Sequence, residues 1–192
     1  MIRRLYDWTI SLAASPHALW GLALVAFLES SVFPIPPDIL MIPMIIAAPS
    51  RAFLIAGVAL AASVTGGMLG YFIGWGAFES IGRPVLEFYG KDHAFDEFAT
   101  RYNDFGPWAV LIAGVTPFPY KVITILSGST GLHFGIFMIS SVVARGLRFF
   151  IVAGLLWKFG EPIRDFIERR LGLMFTIFVL LLAGGFYVVK YL

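Results

Sequence analysis

Two stretches of this chain are almost free of charge. Between His17 and Phe78 the ionised side chains are Glu29, Asp38 and Arg51, and between Phe105 and Trp157 they are Lys121, Arg145 and Arg148. The core of a small soluble domain cannot bury apolar blocks so long, whereas an uncharged run of about 20 residues is what crosses a bilayer. Composition agrees: 59% of the 192 residues are apolar and 14% are charged, about half the charged share of a soluble domain. The sequence predicts an all-α integral membrane protein with material for roughly five to seven hydrophobic segments. A transmembrane β-barrel is excluded, because its strands would alternate polar and apolar residues.

Other classes fall away on simpler grounds. The chain has no cysteine, which removes disulfides, thiolate metal sites and cysteine nucleophiles. Its net charge is +2, and no run of Lys and Arg could follow a phosphate backbone, so nucleic acid is not expected as a partner. His17, His93 and His133 are too scattered for a metal site and no Ser, His and Asp arrangement appears; neither a cofactor nor an enzymatic activity is expected. At the amino end Arg3 and Arg4 precede a mildly apolar stretch, but Asp7 interrupts it and Ser15-Pro16 is a poor cleavage site. Residues 1–16 are expected to form a retained interfacial helix.

Proline sets the internal organisation. Phe33-Pro34-Ile35-Pro36-Pro37 interrupts the first apolar stretch and Thr116-Pro117-Phe118-Pro119-Tyr120 the second. A proline lacks a donor, clashes with the preceding turn and drives the residue before it out of helical geometry, so prolines spaced this closely end a helix. The pieces of roughly 12 to 16 residues on either side are too short to cross a ~30 Å core alone. Each broken run is therefore expected to enter and return as a re-entrant hairpin, its non-helical backbone sheltered by protein or a water-filled cavity. A long helix follows each hairpin, Phe53 to Phe78 and Phe134 to Phe159. Hairpin plus span, twice, predicts an inverted repeat in which the breaks at Pro34, Pro36, Pro37, Pro117 and Pro119 meet near the middle of the bilayer. The expected divisions are the segment 1–16, a membrane domain 17–160 and a charged loop with a C-terminal spanning helix, 161–192, whose Leu171 to Val189 is uncharged. The membrane domain comprises repeat 1 (17–78), a polar loop (79–104) and repeat 2 (105–160). In the polar loop Phe95, Phe98, Tyr102 and Phe105 recur at helical spacing after Asp92, which suits an N-cap, and describe an amphipathic helix on the membrane surface.

The charges at membrane depth are the candidates for chemistry, because a charge there costs several kcal/mol and usually marks a pathway or a proton relay. Glu29 lies five residues before Pro34 and Asp38 directly follows Pro37. Both are candidates for proton exchange, since a low-dielectric cleft favours the neutral carboxyl. The plainer alternatives are that Asp38 caps the returning half-helix and that Glu29 snorkels at an interface. Lys121 stands at the second break much as Asp38 stands at the first, and Arg145 and Arg148 share one face of the following helix at i, i+3. These three cations either neutralise the carboxylates in structural ion pairs or face a water-filled cleft as a phosphate site, for which Arg forks and half-helix ends are suited. The second reading is preferred, because a lipid headgroup is the anion that a membrane cavity meets most often. Gly66, Gly70 and Gly74 form a small-residue face, read as helix packing rather than ligand contact.

Taken in order, Glu29-x-x-x-Phe33-Pro34-x-Pro36-Pro37-Asp38, Gly66-x-x-x-Gly70-Tyr71-x-x-Gly74, Tyr102-x-x-x-Gly106 and Phe118-Pro119-x-Lys121 resemble the DedA family, also called the SNARE-associated Golgi protein or VTT domain family. The resemblance spans Ala18 to Gly160 and is nearest the YqaA-like branch, through Pro-Phe-Pro-Tyr-Lys and Arg-Gly-x-x-Arg-Phe. It implies two facing re-entrant hairpins and movement of lipids such as phospholipids or polyprenyl phosphates between leaflets, often with dependence on the proton gradient. Glu29 and Asp38 match the family's membrane-embedded acidic positions. Main-branch members carry an arginine near the position of Thr116 and another shortly after the proline. This chain keeps only Lys121 there, so Arg145 and Arg148 would have to supply the missing charge.

The leading expectation is a transporter of flippase or scramblase type, with membrane lipids and protons as its partners. The alternatives are a proton-coupled antiporter of a small cation or drug, which would use the carboxylates, and a non-transporting scaffold, whose surface helix would recruit a partner. A homo-oligomer is compatible with each. Under the hairpin scheme Arg3, Arg4, Arg51, Lys158, Arg164, Arg169 and Arg170 fall on one side and Arg83, Lys91, Arg101 and Lys190 on the other. The imbalance predicts a cytoplasmic amino terminus and Lys158 to Arg170 loop in a bacterial inner membrane.

Overall fold

The computed structural model describes residues 17–32, 35–116 and 118–169. The expectations for segment 1–16, for the spanning helix Leu171 to Val189, and for Pro34 and Pro117 individually lie outside the described residues. In chain order the elements are α1 (Ala18–Ser31), α2 (Asp38–Ala47), a 3-10 turn (Pro49–Arg51), α3 (Ala52–Ala77), a π turn (Phe78–Gly82), α4 (Arg83–Phe88), α5 (Asp92–Asp104), α6 (Gly106–Val115), α7 (Tyr120–Ser129) and α8 (Phe134–Arg169). All of them are helical.

The prolines divide the short helices. α1 stops at Ser31 and α2 starts directly after Pro37. α6 gives way at Thr116, whose backbone is extended, and α7 starts after Pro119, also extended. Arms of 14, 10, 10 and 10 residues reach about 15–21 Å, well short of a ~30 Å hydrocarbon core. Two helical stretches, Pro49–Phe88 and Phe134–Gly160, are long and apolar enough to cross a membrane. The outer surface is apolar as well: Trp20, Leu24, Phe72, Ile139, Leu147 and Ile151 are all exposed. Water would penalise such a surface and lipid does not.

The two short helices flanking each break pack on different long helices. α1 and α7 lie along α3, α2 and α6 lie along α8, and α3 packs against α8. The glycines of α3 permit the closest approaches: a Cβ on Gly66 would overlap the carbonyl of Phe27 in α1, one on Gly70 the side chain of Thr124 in α7, and one on Gly74 the carbonyl of Ile125 in α7. α3 is thus the rail on which an arm of each hairpin rests. One apolar cluster gathers Leu22, Met41, Ile45, Ile55 and Phe149, and a second gathers Tyr71, Val110, Tyr120 and Phe137. Along α3 and α8 the buried polar residues Ser63, Ser140, Ser141 and Arg145 fall between the stretches that serve the two clusters.

Two boundaries differ from the sequence expectation. The polar segment does not begin as a loop at Glu79, because the helix runs on through a π turn to Phe88. Pro84 has no N–H for the Ser80 carbonyl, and the turn ahead of it widens so that the Arg83 N–H reaches the Phe78 carbonyl. Glu79 and Arg83 also pair at i, i+4, which favours helix over loop. Likewise the segment from Lys158 is not a loop: α8 continues to Arg169 after a kink at Phe159. Pro162 lies in the first turn beyond that kink, a position where its missing donor is tolerated.

Candidate functional site

The candidate charges converge where the two breaks meet. Arg145 projects from α8 among α1, α3 and α7, and its side chain is 1% exposed. Its Nη2 donates to Glu29 Oε2 at 2.7 Å and its Nε donates to Ser63 Oγ at 2.7 Å. Ser63 Oγ and Ser30 Oγ are 2.7 Å apart, and Ser30 Oγ donates to Glu29 Oε2 at 3.1 Å. The guanidinium lies between the rings of Tyr120 and Phe149, 4.8 and 4.6 Å from their centroids. Such burial is tolerable for a charge because an anion, a hydroxyl and two π faces replace its water. Glu29 is thus buried in the protein, not snorkelling at an interface.

One turn later Arg148 is placed differently. Its Nη2 donates to Asp38 Oδ2 at 2.6 Å and its Nη1 to the Thr116 carbonyl at 2.7 Å. This pair keeps 20% and 18% of its side-chain surface exposed. Asp38 does not cap α2, since Pro37 holds the N-cap position and Asp38 occupies the first turn. There its charge also suits the positive end of the helix dipole. Lys121 Nζ donates to the Val32 carbonyl at 3.1 Å, and Thr124 Oγ1 to the Ser30 carbonyl at 3.0 Å. Helix ends leave carbonyls without intrahelical partners. The carbonyls left over by the breaks are therefore satisfied by side chains: Val32 at the end of α1 by Lys121 of α7 in the opposite half, and Thr116 at the end of α6 by Arg148 of its own half, which also reaches across to the start of α2.

The structure thus brings Glu29, Asp38, Arg145 and Arg148 together as two ion pairs, with Lys121 on a helix end beside them. Pro36, Pro37 and Pro119 border this junction, while Gly66, Gly70 and Gly74 serve the packing beneath it. Ser30, Ser63, Thr124 and Tyr120 also belong to the site and were missed. The weak signal for Ser63 was its place three residues before Gly66, on the face that packs. Among the described residues no group of three or more His, Asp or Glu side chains could hold a metal ion. At the far end of the second hairpin, α5 docks through Tyr102, whose hydroxyl pairs with Ser127 at 2.9 Å, and through Asn103, which donates to the Thr130 carbonyl at 2.8 Å. Burial pushes the Tyr102 phenol above its ordinary range.

Helices throughout the described elements, an apolar exterior and charges paired at two proline breaks mark a membrane protein. The VTT domain model matches residues 35–158, and the chain belongs to the VTT domain family, the domain of the DedA and SNARE-associated proteins. It is similar to an uncharacterised protein of Haemophilus influenzae, 34% identical over 168 residues that cover 85% of this chain and 87% of the relative. A protein of Histophilus somni, also uncharacterised, is 36% identical over 168 residues with the same coverage. No solved structure matches the chain.

Proposed function

We propose that this protein moves a phosphate-bearing lipid, a phospholipid or a polyprenyl phosphate, between the leaflets of a bacterial inner membrane. The observation that carries this reading is the placement of Arg148 and Lys121, partly exposed cations at the junction of two broken helices, held by helix-end carbonyls and one partly exposed carboxylate. Two cations at one junction suit a phosphate, Arg148 by its planar fork and Lys121 as a point charge. Arg148 also brings a guanidinium to Thr116, near which main-branch members of the family carry their own arginine. Arg145 is separated from this group by its burial and serves as the anchor beneath it.

The packing supports an inverted repeat around this site. Exchanging the halves sends α1 to α6, α2 to α7 and α3 to α8. The neighbours then map onto one another, α1 with α3 onto α6 with α8, and α7 with α3 onto α2 with α8. Arms too short to span singly support re-entrant hairpins in both units.

The test is reconstitution of the full chain into liposomes carrying fluorescent phosphatidylglycerol or a fluorescent polyprenyl phosphate in both leaflets. Transport predicts that inner-leaflet probe becomes accessible to a membrane-impermeant quencher outside faster than in empty liposomes, and that Arg148→Gln slows this. A scaffold gives the empty-liposome rate. An antiporter gives that rate too, together with a cation-driven change of internal pH.

A further inference from the structure

We propose that the phosphate headgroup and the Asp38 carboxylate compete for the same edge of Arg148, so that the lipid is loaded as Asp38 takes up a proton. This rests on the lipid-transport reading and adds which of the two carboxylates exchanges the proton.

The Arg148 fork already has two ligands, the Thr116 carbonyl on Nη1 and Asp38 on Nη2. A phosphodiester offers the guanidinium the same kind of ligand that a carboxylate does, an anionic oxygen in the plane of the fork. A second anion placed beside an ionised Asp38 in a low-dielectric junction would be repelled. Once Asp38 accepts a proton it no longer competes as an anion, and the phosphate oxygen takes its place on Nη2. The charge balances: Arg148 with ionised Asp38 is neutral, and Arg148 with neutral Asp38 and a singly charged phosphodiester is neutral again. At the other face the proton returns from Asp38 to water, and the carboxylate displaces the phosphate from Arg148.

Glu29 is less suited to this part than Asp38, because its hydrogen bonds run in a closed, buried ring. Arg145 Nε only donates, so Ser63 Oγ must accept from it. The Ser63 proton then goes to Ser30 Oγ, and the Ser30 proton goes to Glu29 Oε2, which also accepts from Arg145 Nη2. Every hydroxyl of the ring has both an acceptor and a donor, and Glu29 Oε2 accepts two hydrogen bonds. The Glu29–Arg145 pair is also far less exposed, 10% and 1% against 18% and 20%. Glu29 is a positioning residue that fixes Arg145.

Asp38 faces Arg148 and lies within electrostatic reach of Arg145 on α8, and the other charged and titratable groups of the junction are Glu29 on α1 and Tyr120 and Lys121 on α7. Arg145 and Glu29 neutralise each other, the Tyr120 hydroxyl is held by Ser141, and Lys121 adds a positive charge that favours an anion.

The experiment is calorimetric titration of the full chain in detergent with dihexanoyl phosphatidylglycerol, run in two buffers of different ionisation enthalpy so that protons taken up per bound lipid are counted. The wild type should take up about one proton, and its affinity should weaken about tenfold per pH unit as pH rises. Asp38→Asn should bind with no uptake, and Glu29→Gln should keep the uptake. Wild-type binding without proton uptake, or unchanged uptake in Asp38→Asn, would overturn the proposal. If Asp38→Asn fails to fold, the wild-type pH dependence decides. Absence of any binding by the wild type would bring down the lipid-transport reading itself, whereas binding without protons brings down only the competition. Dimethyl phosphate, a phosphodiester without acyl chains, runs in parallel; equal affinity for it would overturn a lipid as the occupant.

Discussion

Arg145 and Arg148 lie one turn apart on α8 and differ in almost everything that surrounds them. Removing the anion from the buried pair, as in Glu29→Ala, leaves a guanidinium with no counter-charge, and such a loss costs about 3–5 kcal/mol. Thermal unfolding in detergent should therefore show Glu29→Ala strongly destabilised, while Glu29→Gln, whose amide oxygen still accepts from Arg145, retains the fold. Arg145→Lys should resemble Glu29→Ala, because an ammonium cannot reach Ser63 and Glu29 together while lying flat between Tyr120 and Phe149. Arg148→Lys should stay folded, yet lose the fork that holds Asp38 and Thr116 at once. Its lipid movement should fall about tenfold or more, the scale of one charge-assisted hydrogen bond of about 1.5–3 kcal/mol. Lys158→Ala, whose ammonium lies over the exposed Phe159 ring, should transport as the wild type does; equal losses in Arg148→Lys and Lys158→Ala would refute a phosphate role for the fork. That these charges had to be expensive was legible in the sequence, since they interrupt otherwise uncharged runs. Which partner each would take was not, because pairing across 110 or more positions depends on how helices cross. The serines of the ring were hidden for a different reason: a hydroxyl inside a helix most often bonds its own backbone, as Ser31 does to Phe27.

At the level of elements, the proline breaks and the glycine face were legible because both rest on local sterics. Proline ends a helix wherever it falls, and a glycine every four residues marks one side of a helix for close approach. Gly66→Ala and Gly74→Ala should each lower stability by about 1–3 kcal/mol, the usual cost of overpacking, since the new methyl meets backbone of α1 or α7 that cannot rotate away. Gly76→Ala is the control, because nothing lies within 4 Å of its missing Cβ. It should raise helix stability by about 0.5–1 kcal/mol, and unfolding midpoints of the three variants under one detergent test the contrast. Less legible were the helical stretches 78–88 and 160–169, whose charges look like loop composition. Alternating charges at i, i+4, as in Glu79 with Arg83 and Glu97 with Arg101, stabilise exposed helix just as readily, so composition alone does not separate a charged helix from a charged loop.

For the molecule as a whole, the arm lengths predict how many times the chain crosses the membrane, and parity tests that prediction. If both hairpins return to the side from which they enter, α3 and α8 cross in opposite directions. The segment around position 93 then lies opposite the segment around position 165. If instead the second hairpin crossed as a unit, α8 would start from the other side and the two segments would share one face. Arms of 10 residues in α6 and α7 cover about 15 Å each. The Thr116 carbonyl between them is held by Arg148 of α8 against Asp38 of the first hairpin. That contact places the second break beside the first, and two hairpins whose tips meet while each returns to its own side is the arrangement that short arms allow. The chain has no cysteine of its own, so His93→Cys and Asp165→Cys can each be labelled without background. A membrane-impermeant maleimide applied to intact cells or to inside-out vesicles should mark position 165 only from the cytoplasmic side, where the excess of Arg and Lys lies, and position 93 only from the opposite side. Labelling of both from one side would remove the inverted repeat and, with it, the meeting of two half-helix ends on which a central lipid site depends.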